Sequence, residues 1–277
     1  MGRYVISDSL FGGTVAYNAI AKMQRLIAER EGDIDFVLKY EGRVGLPSVF
    51  MLGTIPIYGQ KMNKKIRLFV PHKMFVMLSR INVIDYYKKS NLVAIDATQL
   101  LKKPAFRDIQ NSSDIIQFIN ELSMEVPLQL SDEMSDMLTS RIGEIFLNAL
   151  EHSGATIVIG GKYYRNSKNR YCFTCYDNGF GIVKKVQDYN LKVYGVRMSD
   201  EEAIKWALQS GNSTSESGIS RGIGLSLLKE FAKENGFVIK ICNSKILYEY
   251  NGALNREKFM HLKESFCGTI FEVNIIA

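Results

Sequence analysis

EIFLNALEHS, Glu144 to Ser153, closes a run of helical apolar period that begins near Ser131, where SDEM has the spacing of a capping box with Met at its fourth position. Glu144 and Asn148 are four residues apart, so a helix sets them on one face. An acid that can orient water, one turn from an amide oxygen that can hold Mg²⁺, is what phosphoryl transfer from a bound nucleotide needs. Alone the pattern is unspecific, because ExxxN occurs in many helices. Its weight comes from the segments downstream of it.

Two runs rich in strand formers come next, Thr156 to Tyr164 and Tyr171 to Tyr176, and the second leads into DNGFG, Asp177 to Gly181. Asn-Gly is a common hairpin turn. A second glycine, Gly181 after Gly179, followed by Ile182, also suits backbone pressed against a flat ring, with the Asp177 carboxylate free to accept from an exocyclic amine. A helix at Asp200 to Gln209 then precedes the polar, glycine-punctuated stretch SGNSTSESGISRGIGL, Ser210 to Leu225, which runs into a helix at Ile223 to Glu234. Gly222 and Gly224 stand at that helix start, where free N–H groups and the helix dipole favour phosphate, and Arg221 adds a cation. The stretch reads either as a lid over a ligand or as a surface linker. Gly268-Thr269 opens the final strand, Thr269 to Ile275, and matters only in this company.

Upstream, the first half reads as helix, strand, helix, strand, helix. Thr14 to Glu29 has a period near 3.6, DFVLKY (Asp35 to Tyr40) and KIRLFV (Lys65 to Val70) read as strands, and Met74 to Lys88 as helix. The apolar segment between the two strands is long enough for a crossover helix, which would make the pair parallel, although its two prolines and its glycines oppose helix. Lys102 to Ser113, with Pro104 and the polar NSS, marks a boundary, after which helical pattern resumes at Asp114 to Ser123. The expectation is an α/β (α+β) protein of two domains, a smaller α/β domain at 1–107 and an α/β sandwich at 108–277.

Composition supports packed cores, with 46% hydrophobic residues in a chain of 277. The longest mostly apolar run, Val44 to Tyr58, is interrupted by Pro47, Gly53 and Pro56 and is shorter than the roughly 18 residues of a membrane span. The polar Ser7, Asp8 and Ser9 do not suit a signal peptide, so a cytoplasmic location is expected. Four dispersed cysteines fit reduced thiols. Cys172 and Cys175 form a CxxC, but their odd separation in a strand sends them to opposite sheet faces, which reads as two buried thiols better than as a zinc or redox pair. Within the net charge of +6, the clearest cluster is Lys162, Arg165, Lys168 and Arg170, read as a solvated hairpin tip rather than a nucleic-acid patch.

In their order, these segments resemble the N, G1 and G2 boxes and closing GT strand of the histidine-kinase-like ATP-binding family known as GHKL, over Asp136 to Ile275. The resemblance implies an ATP and Mg²⁺ site. Asn148 would chelate the metal, Glu144 would act as base, and Asp177 would bind the adenine amino group. Gly179, Gly181 and Ile182 would shape the adenine pocket, Arg221, Gly222 and Gly224 would approach the phosphates, and Thr269 would join the water network at the base.

Among the branches of that family, a histidine kinase would need an acceptor His followed by an acid, and usually a basic residue three after the N-box Asn, where this chain has Glu151. His72, His152 and His261 are its only histidines and are expected to be structural. Gyrase-like members place a further domain after the nucleotide fold, whereas this chain ends at Ala277, close to its last strand. The anti-sigma-factor serine kinase branch is most similar, since its N box pairs Glu with Asn and ends in His and a small residue. The first half weakly resembles a STAS-like module, in which a Ser or Thr at a helix start takes phosphate; Val44 falls there, which implies a docking platform. The expected function is Mg-ATP-dependent regulation of an unidentified protein partner, with slow hydrolysis or serine phosphotransfer. A non-catalytic ATP-sensing scaffold is the alternative, pairing with a second copy stays open, and nucleic-acid binding rests on charge alone.

Overall fold

The computed structural model describes residues 2–10, 12–39, 46–71, 74, 92–95, 106–125, 132–165, 170–214 and 224–276. Its first half builds a sheet from β1 (Gly2–Ile6), β2 (Ile34–Leu38), β3 (Ile66–Pro71) and β4 (Leu92–Ile95), in that order, with α1 (Gly13–Glu29) and α2 (Leu46–Lys61) as connections. Strands β1, β2 and β3 are mutually parallel and β4 is antiparallel to β3. The parallel β2–β3 pair requires a crossover, and α2 supplies it despite Pro56 in its interior. A proline there costs about 3 kcal/mol. Burial of Phe50, Met51, Leu52, Ile55, Ile57 and Tyr58 outweighs that, at about 1.5–3 kcal/mol for each large side chain. Of the helix expected at Met74 to Lys88 only Met74 is described, buried in the core of the first half; the rest of it and Val44 lie outside the described residues.

The second sheet has the order β5-β6-β7-β9-β8, every neighbouring pair antiparallel: β5 (Phe106–Asp108), β6 (Val158–Arg165), β7 (Arg170–Asp177), β9 (Arg256–Ile276) and β8 (Val238–Asn251). Among the described residues this half also has helices α3 (Ser112–Glu125), α4 (Asp132–His152), α5 (Gly181–Tyr194), α6 (Asp200–Ala207) and α7 (Gly224–Asn235). One sheet face packs on helices, with Tyr171, Phe173, Cys175 and Val273 in a core shared with α3, α4 and α7. A register irregularity at Asn243–Ile246 switches the parity of β8, so that Ile239 and Ile241 before it and Ile246 and Tyr248 after it all reach the same core. Cys172 and Cys175 are both buried, and their odd spacing places them on opposite faces as expected.

The opposite face of this sheet is covered by the first half. Ile159, Tyr176, Leu247, Phe266 and Ile270 share one core with Phe36, Leu38, Ile55 and Leu68. Helices α1 and α2 lie between the two sheets. Tyr17 donates to Glu272 Oε2 at 3.1 Å, the Gln24 amide donates to Tyr176 Oη at 3.2 Å and to the Cys267 carbonyl at 3.1 Å, and Gln24 Oε1 accepts from the Cys267 N–H at 2.9 Å. The boundary expected between 107 and 108 runs through β5, a strand of the second sheet.

Lys162 corrects the reading of the basic cluster. Its side chain is 5% exposed and its ammonium lies 3.2 Å from Glu121 of α3, so it is a buried ion pair of the β6–α3 packing rather than part of a solvated tip. The tip itself, 166–169, lies outside the described residues. Among the described residues no helix is long and apolar enough to cross a membrane.

Candidate functional site

Helix α4 carries Glu144 and Asn148 along one wall of a cavity of about 690 Å³. The end of β7 brings Asp177 to that cavity, the start of α5 adds Gly181 and Ile182, and β9 adds Thr269. These elements meet because Asp177 and Thr269 are register partners on adjacent strands and α4 packs on the same sheet. The volume is within the usual range for small-molecule sites, about 300–1,000 Å³. Six residues picked out from separate segments of the sequence therefore line one cavity.

Asp177 is 4% exposed. Burial raises its carboxyl from the usual value of 3.8 to about 7, against the opposing effect of hydrogen bonds from the Gly179 N–H, from Thr269 and from Ser153. The Gly179 N–H donates to Oδ1 at 2.9 Å. The carboxyl is held in place and poised to change charge near neutrality.

Gly179 is not at the cavity. A Cβ there would lie 2.3 Å from the Ser153 carbonyl oxygen, so this glycine lets the turn close against the end of α4. Gly181 does line the cavity and has φ of +80°, which favours glycine. Asn178 fastens the same turn to the start of β6, its Oδ1 accepting from the N–H groups of Thr156 at 3.0 Å and Ile157 at 2.8 Å. Arg221 and Gly222 lie outside the described residues, as do 215–223. Gly224 begins α7, and its neighbour Leu225 lines the cavity.

Glu144 has its carboxyl raised by burial and pulled back by the Arg141 guanidinium, whose Nη1 is 3.9 Å from Glu144 Oε2. A raised carboxyl suits a general base better than a fully solvated one. The cavity has further residues that motif reading does not single out, Arg141 on α4 and Lys185 on α5, and it is also lined by His152, the His of the N box. Lys185 donates to the His152 carbonyl at 3.3 Å, and burial lowers the pKa of its ammonium. The spacing of Arg141, three residues before Glu144 on the same helix, is a signal that could have found it. Lys185 has no such signal, because the sequence does not announce α5.

The start of α5 is built by a residue distant in the chain. No side chain of its own N-terminus caps it; instead Asn243 of β8 accepts from the Val183 N–H at 2.8 Å and donates to the Gly268 carbonyl at 2.6 Å. Asn243→Ala leaves both backbone groups buried without these partners. It is expected to lower folding stability by about 1–3 kcal/mol, read from the denaturant midpoint at constant slope. A change below about 0.5 kcal/mol, the usual size for an ordinary surface substitution, would show that Asn243 is not a brace.

No protein-family model matches the chain, and no curated protein is significantly similar to it.

Proposed function

We propose that the chain is a Mg-ATP-binding regulatory protein whose nucleotide site is the cavity between α4, β7, α5 and β9. The observation that carries this reading is Asp177, a buried acceptor at one end of a cavity whose α4 wall holds Glu144 and Asn148. Asp177 accepts from the adenine amine, Ile182 and Gly181 flank the ring, and Asn148 and Glu144 face the phosphates. The five-stranded antiparallel sheet with helices packed on one face suits the GHKL resemblance, and the parallel β1–β3 unit suits the STAS-like one.

Mg²⁺ would be held by Asn148 and would supply positive charge against the phosphates. Mg²⁺ takes few protein ligands and several from phosphate and water, which fits a single amide, Asn148. Among the described residues no group of three or more His, Cys, Asp or Glu could hold the ion without phosphate. The regulatory part of the proposal rests on Gln24. It joins α1 to Tyr176 and Cys267, whose chain neighbours include Asp177 and Gly268, so a nucleotide at Asp177 acts close to the contact with the first half. A partner protein would read that change on the STAS-like half. The non-catalytic scaffold has one observation in its favour, the Arg141–Glu144 pair, which gives Glu144 a structural role.

Calorimetry with ATP, ADP and GTP, with and without Mg²⁺, tests the reading. Adenine nucleotides are expected to bind and GTP not, since guanine presents a carbonyl where adenine presents its amine. The pH dependence has a defined sign. Free Asp177 ionises at about 7, and the amine needs the ionised acceptor, so affinity should be flat above that pH and fall as pH drops below it. The fall should approach about tenfold per pH unit. Equal affinity at pH 8 and 6, or binding of GTP as tight as ATP, would overturn the assignment of Asp177.

A further inference from the structure

Arg141, Glu144 and Asn148 succeed one another at helical spacings of three and four along α4, and all three line the cavity. Arg141 is held loosely. Its Nε is buried without a hydrogen-bond partner, and its Nη1 reaches Glu144 only at 3.9 Å. A guanidinium has five N–H donors in a planar fork, and one left buried and unpaired is costly unless a ligand supplies the acceptor. The ligand that matches such a fork is an anion with several oxygens, phosphate above all.

Position along the helix says which phosphate. Ser153, which lines the cavity together with Asp177 just past the end of α4, marks the base end, and Arg141 is twelve residues before it, about 18 Å along the helix axis. That span suits an extended nucleoside triphosphate. Lys185 cannot serve the far end, because it is tied to the His152 carbonyl, next to Ser153. Asn148 and Glu144 come between.

We propose that Arg141 is the ligand of the terminal phosphate and the residue by which the site distinguishes a nucleoside triphosphate from a diphosphate. The inference rests on the nucleotide reading of the cavity. Terminal phosphate draws the guanidinium away from Glu144 and satisfies its Nε. Glu144 is then free to accept a hydrogen bond from water or from a partner's hydroxyl. ATP, not ADP, therefore sets the arrangement of the α4 wall.

Calorimetry on the full chain with Mg²⁺ and AMP, ADP or ATP tests this, using wild type, Arg141→Gln, Arg141→Lys and Asp177→Asn. Arg141→Gln is expected to weaken ATP at least about tenfold, the loss expected for a hydrogen bond to a charged group, while AMP and ADP change by less than about twofold. Arg141→Lys, which keeps the charge and loses the fork, should show a smaller loss confined to ATP, and it carries the test if the Gln variant fails to fold. Asp177→Asn should weaken all three nucleotides alike. Equal losses for ATP and ADP in the Arg141 variants, or none, would overturn the inference alone. If wild type binds none of the three, the nucleotide reading fails and the inference falls with it.

Discussion

Asp177→Asn should weaken Mg-ATP binding by about tenfold or more and leave the fold intact. The carboxylate has two oxygens: one accepts from the Gly179 N–H, and the other is assigned to the adenine amine. An amide can keep only one acceptor. If its oxygen stays on Gly179, its NH₂ faces the amine of adenine, and two donors meet where a donor and an acceptor did. Folding should not suffer. The carboxyl is raised from 3.8 to about 7 by burial, so its contribution to stability is fully present below the ordinary carboxylate range and is lost as pH rises through about 7. At pH 8 the native chain carries a buried charge that the Asn variant lacks. The variant is therefore expected to unfold at no lower denaturant concentration than wild type at pH 8. A variant that is folded and binds ATP as tightly as wild type would remove Asp177 from the site.

Glu144→Gln separates enzyme from sensor, and its expected effect is the largest of all. The substitution preserves the shape of the side chain and removes its ability to take a proton. If Glu144 is the base for hydrolysis or transfer, Mg-ATP should still bind, while turnover of labelled ATP falls by about 10²–10⁴-fold, the usual contribution of general-base catalysis. The raised carboxyl of Glu144 is in the right direction for that role. Normal turnover in the variant, or no turnover by wild type with candidate partners present, decides for the scaffold reading, with Glu144 serving the α4 pairing to Arg141.

Local periodicity makes much of this cavity legible. Glu144 and Asn148 sit on one helix that the sequence announces through its own period, and Asp177 ends a strand rich in strand formers; Thr269, expected to open the last strand, lies instead within β9, which begins at Arg256. What stays hidden depends on distant partners. Helix α5 has no capping side chain of its own, because Asn243 caps it across the fold, so no local signal announces a helix after the glycines. Gly179 reads as a ligand contact, yet it is required by the Ser153 carbonyl, which no local pattern reveals. Lys162 looks like a surface charge because its partner Glu121 is on another element. The mixed α/β class and strands β2 and β3 are visible in the sequence, whereas α2, and with it the parallel pairing, is obscured by Pro56, a local penalty that burial overrides.

The layer of α1 and α2 between the two sheets constrains how such a chain can drift. Ala19 and Ala21 of α1 belong to the core that also holds Phe36 of the first sheet and Ile270 of the second. Close packing leaves no slack in such a layer, so enlarging either alanine displaces the helix against one sheet or the other. Compensation then falls on residues of both sheets, including ones that never touch. In descendants of this chain, β2 and β9 are bound to vary in concert, and neither half can be exchanged for a foreign equivalent unless α1 is refitted on both of its sides.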